Sequence, residues 1–205
     1  MLLRHRVRDL VLASWETDAE HVARTLPGGL EPATVDGRHL VTIAALRWSG
    51  GRLGRVPIPR FSQVNVRVYA RYGEETAVVF LALRVTHLGM GGALLGFPVR
   101  LARARVREGI VVARGFGVEL RYERGGPAAP GELASHELGL FEAAGLRAFR
   151  VRRDETSWER AEAVGPVRAE PLLALGFTVE GPPSILYAAQ TSFETELPPK
   201  RLRLR

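Results

Sequence analysis

The segment GFPVRLARARVR, residues 96–107, carries four arginines within twelve residues. If this segment is a β-strand, residues two apart share one face of the sheet. Arg103, Arg105 and Arg107 then lie on one face, and Arg100 lies on the opposite face among small apolar residues. A guanidinium that leaves water is costly unless a carboxylate or an anionic ligand pairs with it. The pattern therefore predicts that Arg100 belongs to an anion-binding site.

An inward arginine at this position could also have one of two purely structural roles. Arg100 could form an ion pair within the protein, for which Asp9 and Glu119 are the nearest acids by pattern. It could also extend to the rim of the domain, so that only the aliphatic part of the side chain is buried. Neither role requires a ligand.

The returning strand, residues 110–123, adds a second candidate cation. If a three-residue turn connects the two strands, Arg114 lies on the same apolar face as Arg100. Small alanines on that face leave room for long side chains. The opposite face of this hairpin carries the mixed charges that are typical of a surface in contact with solvent.

A second hairpin, formed by residues 61–72 and 76–87, carries polar residues that also suit an anion. Gln63, Asn65 and Arg67 share one face of its first strand, whereas the partner strand is apolar on both faces. A strand that is apolar on both faces is usually covered on both sides. With a three-residue turn, the polar residues lie opposite large aliphatic residues, which indicates a partly enclosed cavity with a polar lining. An open solvent face is the alternative, and a two-residue turn would exchange the faces.

Several common kinds of catalytic site lack their residues in this chain. It has no cysteine, which excludes disulfides and thiolate chemistry, and its five histidines are scattered without metal-binding spacing. No GxSxG elbow and no phosphate-binding loop with its Lys-Ser/Thr pair is present. The sequence therefore predicts neither a metal site nor a cofactor.

The elements that would position these residues are mostly strands. Strands are predicted at 7–15, 39–48, 61–72, 76–87, 96–107, 110–123, 146–153 and 185–197, and short helices at 17–26, 132–141 and 170–176. So many consecutive strands close into a barrel or form a two-sheet sandwich, because long bare edges are unfavourable. We expect a single domain over residues 1–198, mainly antiparallel β with a few short helices, followed by a basic tail at 199–205.

The composition is that of an ordinary soluble domain with an unusual choice of cation. The 205 residues are 46% hydrophobic and 25% charged, with a net charge of +7. Lys200 is the sole lysine among 29 lysines and arginines, and the arginines are spread along the chain with acids between them. This distribution argues against nucleic-acid binding as the main function. No apolar run approaches the roughly 20 residues that span a bilayer, and no signal peptide is evident, so a cytoplasmic protein is expected.

Several segments resemble the acetoacetate decarboxylase-like superfamily. GFPVR resembles the glycine-aromatic-proline segment that carries two lysines in acetoacetate decarboxylases, and residues 8–32 and 61–89 resemble two further parts of that family in the same order. The whole chain, including ELASHELGLF and PPSILYAAQTSFETELPP, is more similar to the YqjF-like family of uncharacterised bacterial proteins in this superfamily. The resemblance implies a closed, conical, antiparallel β-barrel with an internal pocket.

The resemblance also shows where the decarboxylase chemistry is missing. Those enzymes form an imine between a lysine with a lowered pKa and a β-keto acid. The nucleophile position matches Val99, the neighbouring lysine matches Arg100, the active-site acid matches Gln63 and the active-site arginine matches Arg8. Arginine stays protonated and cannot form that imine. We therefore expect no imine-dependent decarboxylation of acetoacetate.

The sequence leads to one main hypothesis and one alternative. The main hypothesis is a pocket that binds a small anionic or carbonyl-bearing metabolite, either in a binding protein or in an enzyme that forms no covalent intermediate. Its expected residues are Arg8, Gln63, Asn65, Arg67, Arg100 and Arg114. The alternative is a basic interaction module that binds nucleic acid or an acidic protein through the Arg103/Arg105/Arg107 face. Homo-oligomers are compatible with either hypothesis.

Overall fold

Seven strands form the wall of a closed barrel in the computed structural model, which describes residues 1–202. The wall runs in the order β12-β11-β6-β5-β3-β1-β15 and closes where β12 pairs with β15. These strands are β1 (Leu2–Glu16), β3 (Leu40–Leu53), β5 (Phe61–Tyr72), β6 (Glu75–Val85), β11 (Leu138–Glu142), β12 (Leu146–Arg153) and β15 (Ser184–Glu196). Neighbouring wall strands are antiparallel except β11 and β6, which are parallel. The prediction of a mainly antiparallel barrel is confirmed.

Shorter elements complete the chain. The remaining strands are β2 (Glu31–Pro32), β4 (Val56–Ile58), β7 (Val99–Leu101), β8 (Arg103–Arg107), β9 (Ile110–Arg114), β10 (Val118–Ala128), β13 (Trp158–Ala163), β14 (Arg168–Ala169) and β16 (Lys200–Arg201). The α-helices are α1 (Ala19–Thr25) and α2 (Glu170–Ala174), and 3₁₀ helices span His87–Leu95 and Glu132–Ala134. Part of the predicted basic tail therefore forms an edge strand against β12, and residues 203–205 lie outside the described part of the chain.

An outer sheet covers one side of the barrel. Strands β8, β9 and β10 form an antiparallel meander, and β8 packs across β5, β3 and β1. An apolar core lies between this outer sheet and the wall, and it includes Val64, Val66, Val68, Val106, Val111, Val118 and Leu120. The valines of β5 that face away from Gln63, Asn65 and Arg67 are thus buried on the outside of the barrel. Both faces of β5 are therefore covered, and its polar residues Gln63, Asn65 and Arg67 face the barrel interior.

The turn between β8 and β9 decides where Arg114 lies. It has two residues, Glu108 and Gly109, so Val106 pairs with Val111 and Arg103 pairs with Arg114. Directly paired residues share a face of a sheet, and a change of one residue in register moves every side chain to the other face. Arg114 is therefore exposed beside Arg103, and the prediction that it faces the apolar side is wrong.

A bulge in β1 changes which residues point into the barrel. Before the bulge Leu3, His5 and Val7 are buried in alternation, and after it Leu10 and Leu12 take the inward positions. The bulged residue Asp9 has φ of 53°, a left-handed conformation that aspartate tolerates better than most residues. The extra residue at the bulge shifts the alternation of side chains by one position. Buried, mostly apolar residues therefore face inward both before and after the bulge.

The acids suggested as partners for inward arginines have other partners. The Asp9 carboxylate, 6% exposed, lies 2.8 Å from Nη2 of Arg47, and the Tyr187 hydroxyl donates to it at 3.3 Å. Burial, followed by the negative charge of Asp9, raises the pKa of Tyr187 to about 12. Glu119 lies on the outer sheet, 3.7 Å from Nε of Arg121. Neither acid pairs with Arg100.

One predicted helix is largely wrong. Residues 132–141 contain only a single 3₁₀ turn, and Leu138–Glu142 form wall strand β11 between β6 and β12. This segment is apolar at four consecutive positions because neighbours cover it on both faces, and such a run does not show strand alternation.

Candidate functional site

The interior of the barrel contains a cavity of about 400 Å³. Strands of the wall supply most of its lining, and the 3₁₀ helix His87–Leu95 borders its opening with the exposed side chains of Leu88 and Leu94. The apolar part of the lining includes Leu10, Leu12, Leu46, Val78, Phe80 and Phe141. The cavity is thus largely apolar, as ligand pockets of proteins usually are.

Strand β5 contributes three polar side chains to the lining: Gln63, Asn65 and Arg67. The β5–β6 turn has two residues, but a bulge between Val66 and Arg67 leaves Leu81 unpaired and gives Gln63 and Asn65 the register expected for a longer turn. Gln63 therefore pairs with Val85 and Asn65 pairs with Leu83, as in the sequence-based pairing. Arg67 pairs with Phe80, one residue from the expected position.

A second guanidinium, that of Arg153, lines the same cavity from the end of β12. Burial, followed by the positive charge of Arg67, lowers the pKa of Arg153 to about 10. Within residues 1–202, no acidic side chain lies in ion-pair distance of Arg67 or Arg153. Glu137, the carboxylate among the described lining residues, is exposed. The cavity therefore has a positively charged region.

His136 lies beside this charged region. Its ring centroid is 5.4 Å from that of Tyr69, and the guanidinium of Arg67 lies 5.9 Å from the same tyrosine ring. Burial and the charge of Arg67 lower the pKa of His136 below its ordinary value. The imidazole is therefore neutral near pH 7 and can donate or accept a hydrogen bond.

A column of four stacked rings forms another part of the lining. His5 stacks on Trp48 with centroids 3.8 Å apart, Phe193 lies 5.3 Å from His5, and Phe61 lies 4.7 Å from Trp48. Trp48 Nε1 donates to Oε1 of Gln63 at 3.0 Å, which fixes the amide orientation. Burial lowers the pKa of His5 to about 3, so this imidazole is neutral as well. The column is rigid and uncharged.

Four buried polar atoms of the cavity lining have no hydrogen-bond partner among residues 1–202. They are Nδ1 of His5, Oδ1 of Asn65, Nε of Arg67 and Nε2 of His136. Because nearly all buried polar groups in proteins are paired, such a concentration of unpaired atoms marks a place for a polar ligand group. The set contains both donors and acceptors.

Arg100 and Arg8 lie outside this site. Strand β7 is three residues long and runs parallel to β6, and it ends before β8 begins. Within β7, Val99 lines the cavity and Arg100 is exposed next to Arg84. Arg8, at the bulge of β1, is exposed too. The prediction that Arg100 points into the chamber is wrong, since the alternation that put it inside assumed one continuous strand.

Sequence reasoning missed Arg153, His136 and the aromatic column. For Arg153 a signal existed. In the predicted strand 146–153, Phe149, Val151 and Arg153 are two residues apart and share one face, so Arg153 follows apolar residues on its face, as the sequence suggested for Arg100. His136 was hidden by the incorrect helix. The stacking of His5 on Trp48 joins strands that are distant in sequence, and no local pattern indicates it.

No cluster of three or more metal-ligating His, Asp or Glu side chains occurs in the described part of the chain. In residues 1–202, none of the helices has the length and apolar character that crossing a bilayer requires.

Comparison with known proteins identifies the fold and the family. The DUF2071 family, described as an uncharacterized conserved protein, matches residues 4–191. No curated protein matches the chain. The narrower resemblance to YqjF-like proteins stays a prediction.

Solved structures of decarboxylase-like proteins are similar over nearly the whole chain. The acetoacetate decarboxylase of Legionella pneumophila has a TM-score of 0.72 at 13% identity, covering 98% of this chain and 87% of that one. An acetoacetate decarboxylase-like enzyme from Sphingomonas wittichii RW1 has a TM-score of 0.68 at 16% identity, covering 98% and 92%. The enduracididine biosynthesis enzyme MppR, complexed with pyruvate, has a TM-score of 0.64 at 13% identity, covering 95% and 90%. At these identities the similarity concerns the fold alone.

Proposed function

This chain belongs to the DUF2071 family and has the fold of acetoacetate decarboxylase-like proteins, and from its cavity we propose that it binds a small organic carboxylate. The carboxylate contacts Arg67 and Arg153, and the polar atoms of Asn65 and His136 complete its surroundings. The proposal keeps the anion-binding pocket expected from the sequence and replaces Arg8, Arg100 and Arg114 by Arg153.

The observation that carries the proposal is the pair of cavity guanidiniums, those of Arg67 and Arg153, for which residues 1–202 supply no acid within ion-pair distance. Two like charges held in a partly buried space repel each other and lose hydration, and both effects are relieved by an anion. A single arginine binds a carboxylate through two parallel N–H donors, so a carboxylate suits a cavity guanidinium in geometry as well as in charge. The complex of MppR with pyruvate is compatible with a small acid in this kind of barrel.

Imine chemistry is not part of the proposed function. Lys200, the sole lysine, lies in the edge strand β16 and outside the cavity lining, and the position that resembles the nucleophile is Val99. If the bound acid also carries a carbonyl group, Arg67 and Arg153 can stabilise an enolate without a covalent intermediate. This second role applies only if the protein turns its ligand over.

The test is a thermal-shift titration with acetoacetate, pyruvate, lactate, octanoate and inorganic phosphate. We expect at least one carboxylate to raise the melting temperature, and we expect the shift to vanish in Arg153→Met and in Arg67→Met. Arg152→Met is the matched control, because Arg152 is the exposed neighbour on the other face of β12. A shift that survives both cavity variants, or no shift with any carboxylate, contradicts the proposal.

A second candidate function has one structural observation in its favour. Arg103, Arg105, Arg107 and Arg114 share an exposed face of the outer sheet. We propose that this face binds a polyanion. Retention on heparin that falls steeply with salt and is lost when all four arginines are replaced by glutamine would support it.

A further inference from the structure

The size and lining of the cavity restrict the class of carboxylate that fits it. A volume of about 400 Å³ lies in the range of about 300–1,000 Å³ that is typical of ligand pockets. The positive charge is confined to Arg67 and Arg153, and Glu137, the acid in the described lining, is exposed. A short acid such as acetate would occupy only the charged region.

Away from the charged region, aromatic and aliphatic side chains enclose the cavity. Phe97, Phe141 and Phe149 form one cluster, with ring centroids 5.2 Å, 5.0 Å and 5.9 Å apart, and Phe80 joins it at 5.7 Å from Phe149. Gly139 makes room for this cluster, because a Cβ atom there would lie 2.5 Å from Cζ of Phe149. These rings give this part of the cavity an apolar wall.

The opening of the cavity is apolar as well. Leu94, 92% exposed, and Leu88, 49% exposed, lie on the 3₁₀ helix that borders it. Side chains of this kind at an entrance contact the apolar part of a ligand that is longer than the chamber. Apolar surface therefore continues from the walls to the outside.

Resting on the proposed function, we infer that the ligand is an amphipathic carboxylic acid. Its carboxylate lies at Arg67 and Arg153, and its hydrocarbon tail fills the space beside Phe80, Phe141 and Phe149. The tail removes apolar lining from water, and the head neutralises the two guanidiniums. The ligand class is thus a monocarboxylate with a tail of several carbons, in contrast to short keto acids and phosphorylated metabolites.

Isothermal titration calorimetry of the full chain with acetate, butanoate, hexanoate, octanoate and decanoate tests this inference. Each additional methylene is expected to tighten binding about two- to fourfold until the cavity is full, by the usual contribution of a buried methylene group. 1-Octanol, which has the tail without the charge, should bind at least about tenfold more weakly than octanoate, since it lacks a charge-assisted contact. These measurements use the unaltered chain and do not depend on a variant that folds.

Two variants distinguish the contribution of the ligand's hydrocarbon tail to affinity from that of its carboxylate. Val78→Phe narrows the apolar part of the cavity and should weaken octanoate while leaving acetate unchanged, and Arg153→Met should weaken every acid by the same factor. Equal affinities for acetate and octanoate, both lost in Arg153→Met, would overturn the inference and leave the proposed function intact. Octanol binding as tightly as octanoate, with no effect of Arg153→Met, would overturn the proposed function and the inference together.

Discussion

Replacing the cavity arginine Arg153 by methionine should make the free protein more stable, although it removes a side chain with packing contacts. Methionine keeps the length of the aliphatic part and can fill the same irregular space. The substitution removes a half-buried charge for which the described residues supply no acid.

The size of the effect follows from the surroundings of the guanidinium. Burial and Arg67 lower the pKa of Arg153 from 12.5 to about 10. At about 1.4 kcal/mol per pKa unit, the charged form costs at most about 3.5 kcal/mol, and solvent screening of a half-buried group reduces this to about 2 kcal/mol. The guanidinium also lies 5.2 Å from the ring of Trp158, a cation–π contact that is worth about 0.5–1 kcal/mol. The net gain of Arg153→Met is therefore about 1 kcal/mol.

Urea unfolding at pH 7, followed by circular dichroism in the absence of ligand, measures this gain. For a chain of this size about 1 kcal/mol corresponds to a rise of about 2–4 °C in melting temperature. The control Arg152→Met removes an exposed arginine from the same strand and should change the free energy of unfolding by less than about 0.5 kcal/mol. If Arg153→Met instead lowers stability by more than about 1 kcal/mol, the guanidinium is well paired in the free protein, and the reason for assigning it an anionic ligand disappears.

Three further predictions concern the chemistry, the pH dependence and the packing of the cavity. Borohydride added with acetoacetate should leave the mass of the protein unchanged, because no lysine lines the cavity; a stable mass increase would contradict this. His5, 8% exposed, takes up a proton in the unfolded state near its ordinary pKa of 6.5 but in the folded state only near 3, so stability falls as the pH drops below 6.5. This effect lowers the free energy of unfolding by about 2 kcal/mol between pH 7 and pH 5. In urea unfolding of His5→Phe, the loss of unfolding free energy over this pH range should therefore be smaller by about 2 kcal/mol. An unchanged loss would mean that the folded protein does not keep His5 from being protonated. Gly139→Ala forces the ring of Phe149 to move and should cost about 1–3 kcal/mol in thermal unfolding, whereas Gly73→Ala, in the β5–β6 turn, tests only backbone strain and should leave carboxylate binding unaltered.

The alternating pattern of β5 was enough to place half of the predicted site residues in the cavity. Gln63, Asn65 and Arg67 share a face, and the two-sided apolar partner strand indicated that this face is enclosed. The turn has two residues instead of three, and the bulge at Leu81 compensates for this difference near Asn65. Periodicity therefore predicts which residues share a face more reliably than it predicts their partners.

The other half of the predicted site failed for reasons that a single sequence does not reveal. The position of Arg114 depends on a turn of two residues instead of three, and the position of Arg100 on a break at Ala102 between two short strands. Arg8 came only from the family resemblance, and a bulge at the next residue changes its surroundings. Each error comes from a local irregularity of the backbone: a turn length, a strand break or a bulge.

The apolar layer between the barrel and the outer sheet has a consequence for how this fold can change over time. A large apolar core lies between the barrel wall and the outer sheet, outside the barrel. Substitutions of side chains that point into the barrel leave that core in place. Side chains that point into the lumen can therefore be substituted while the scaffold is kept. Barrels of this architecture can therefore acquire new ligands and new chemistry while their fold stays the same.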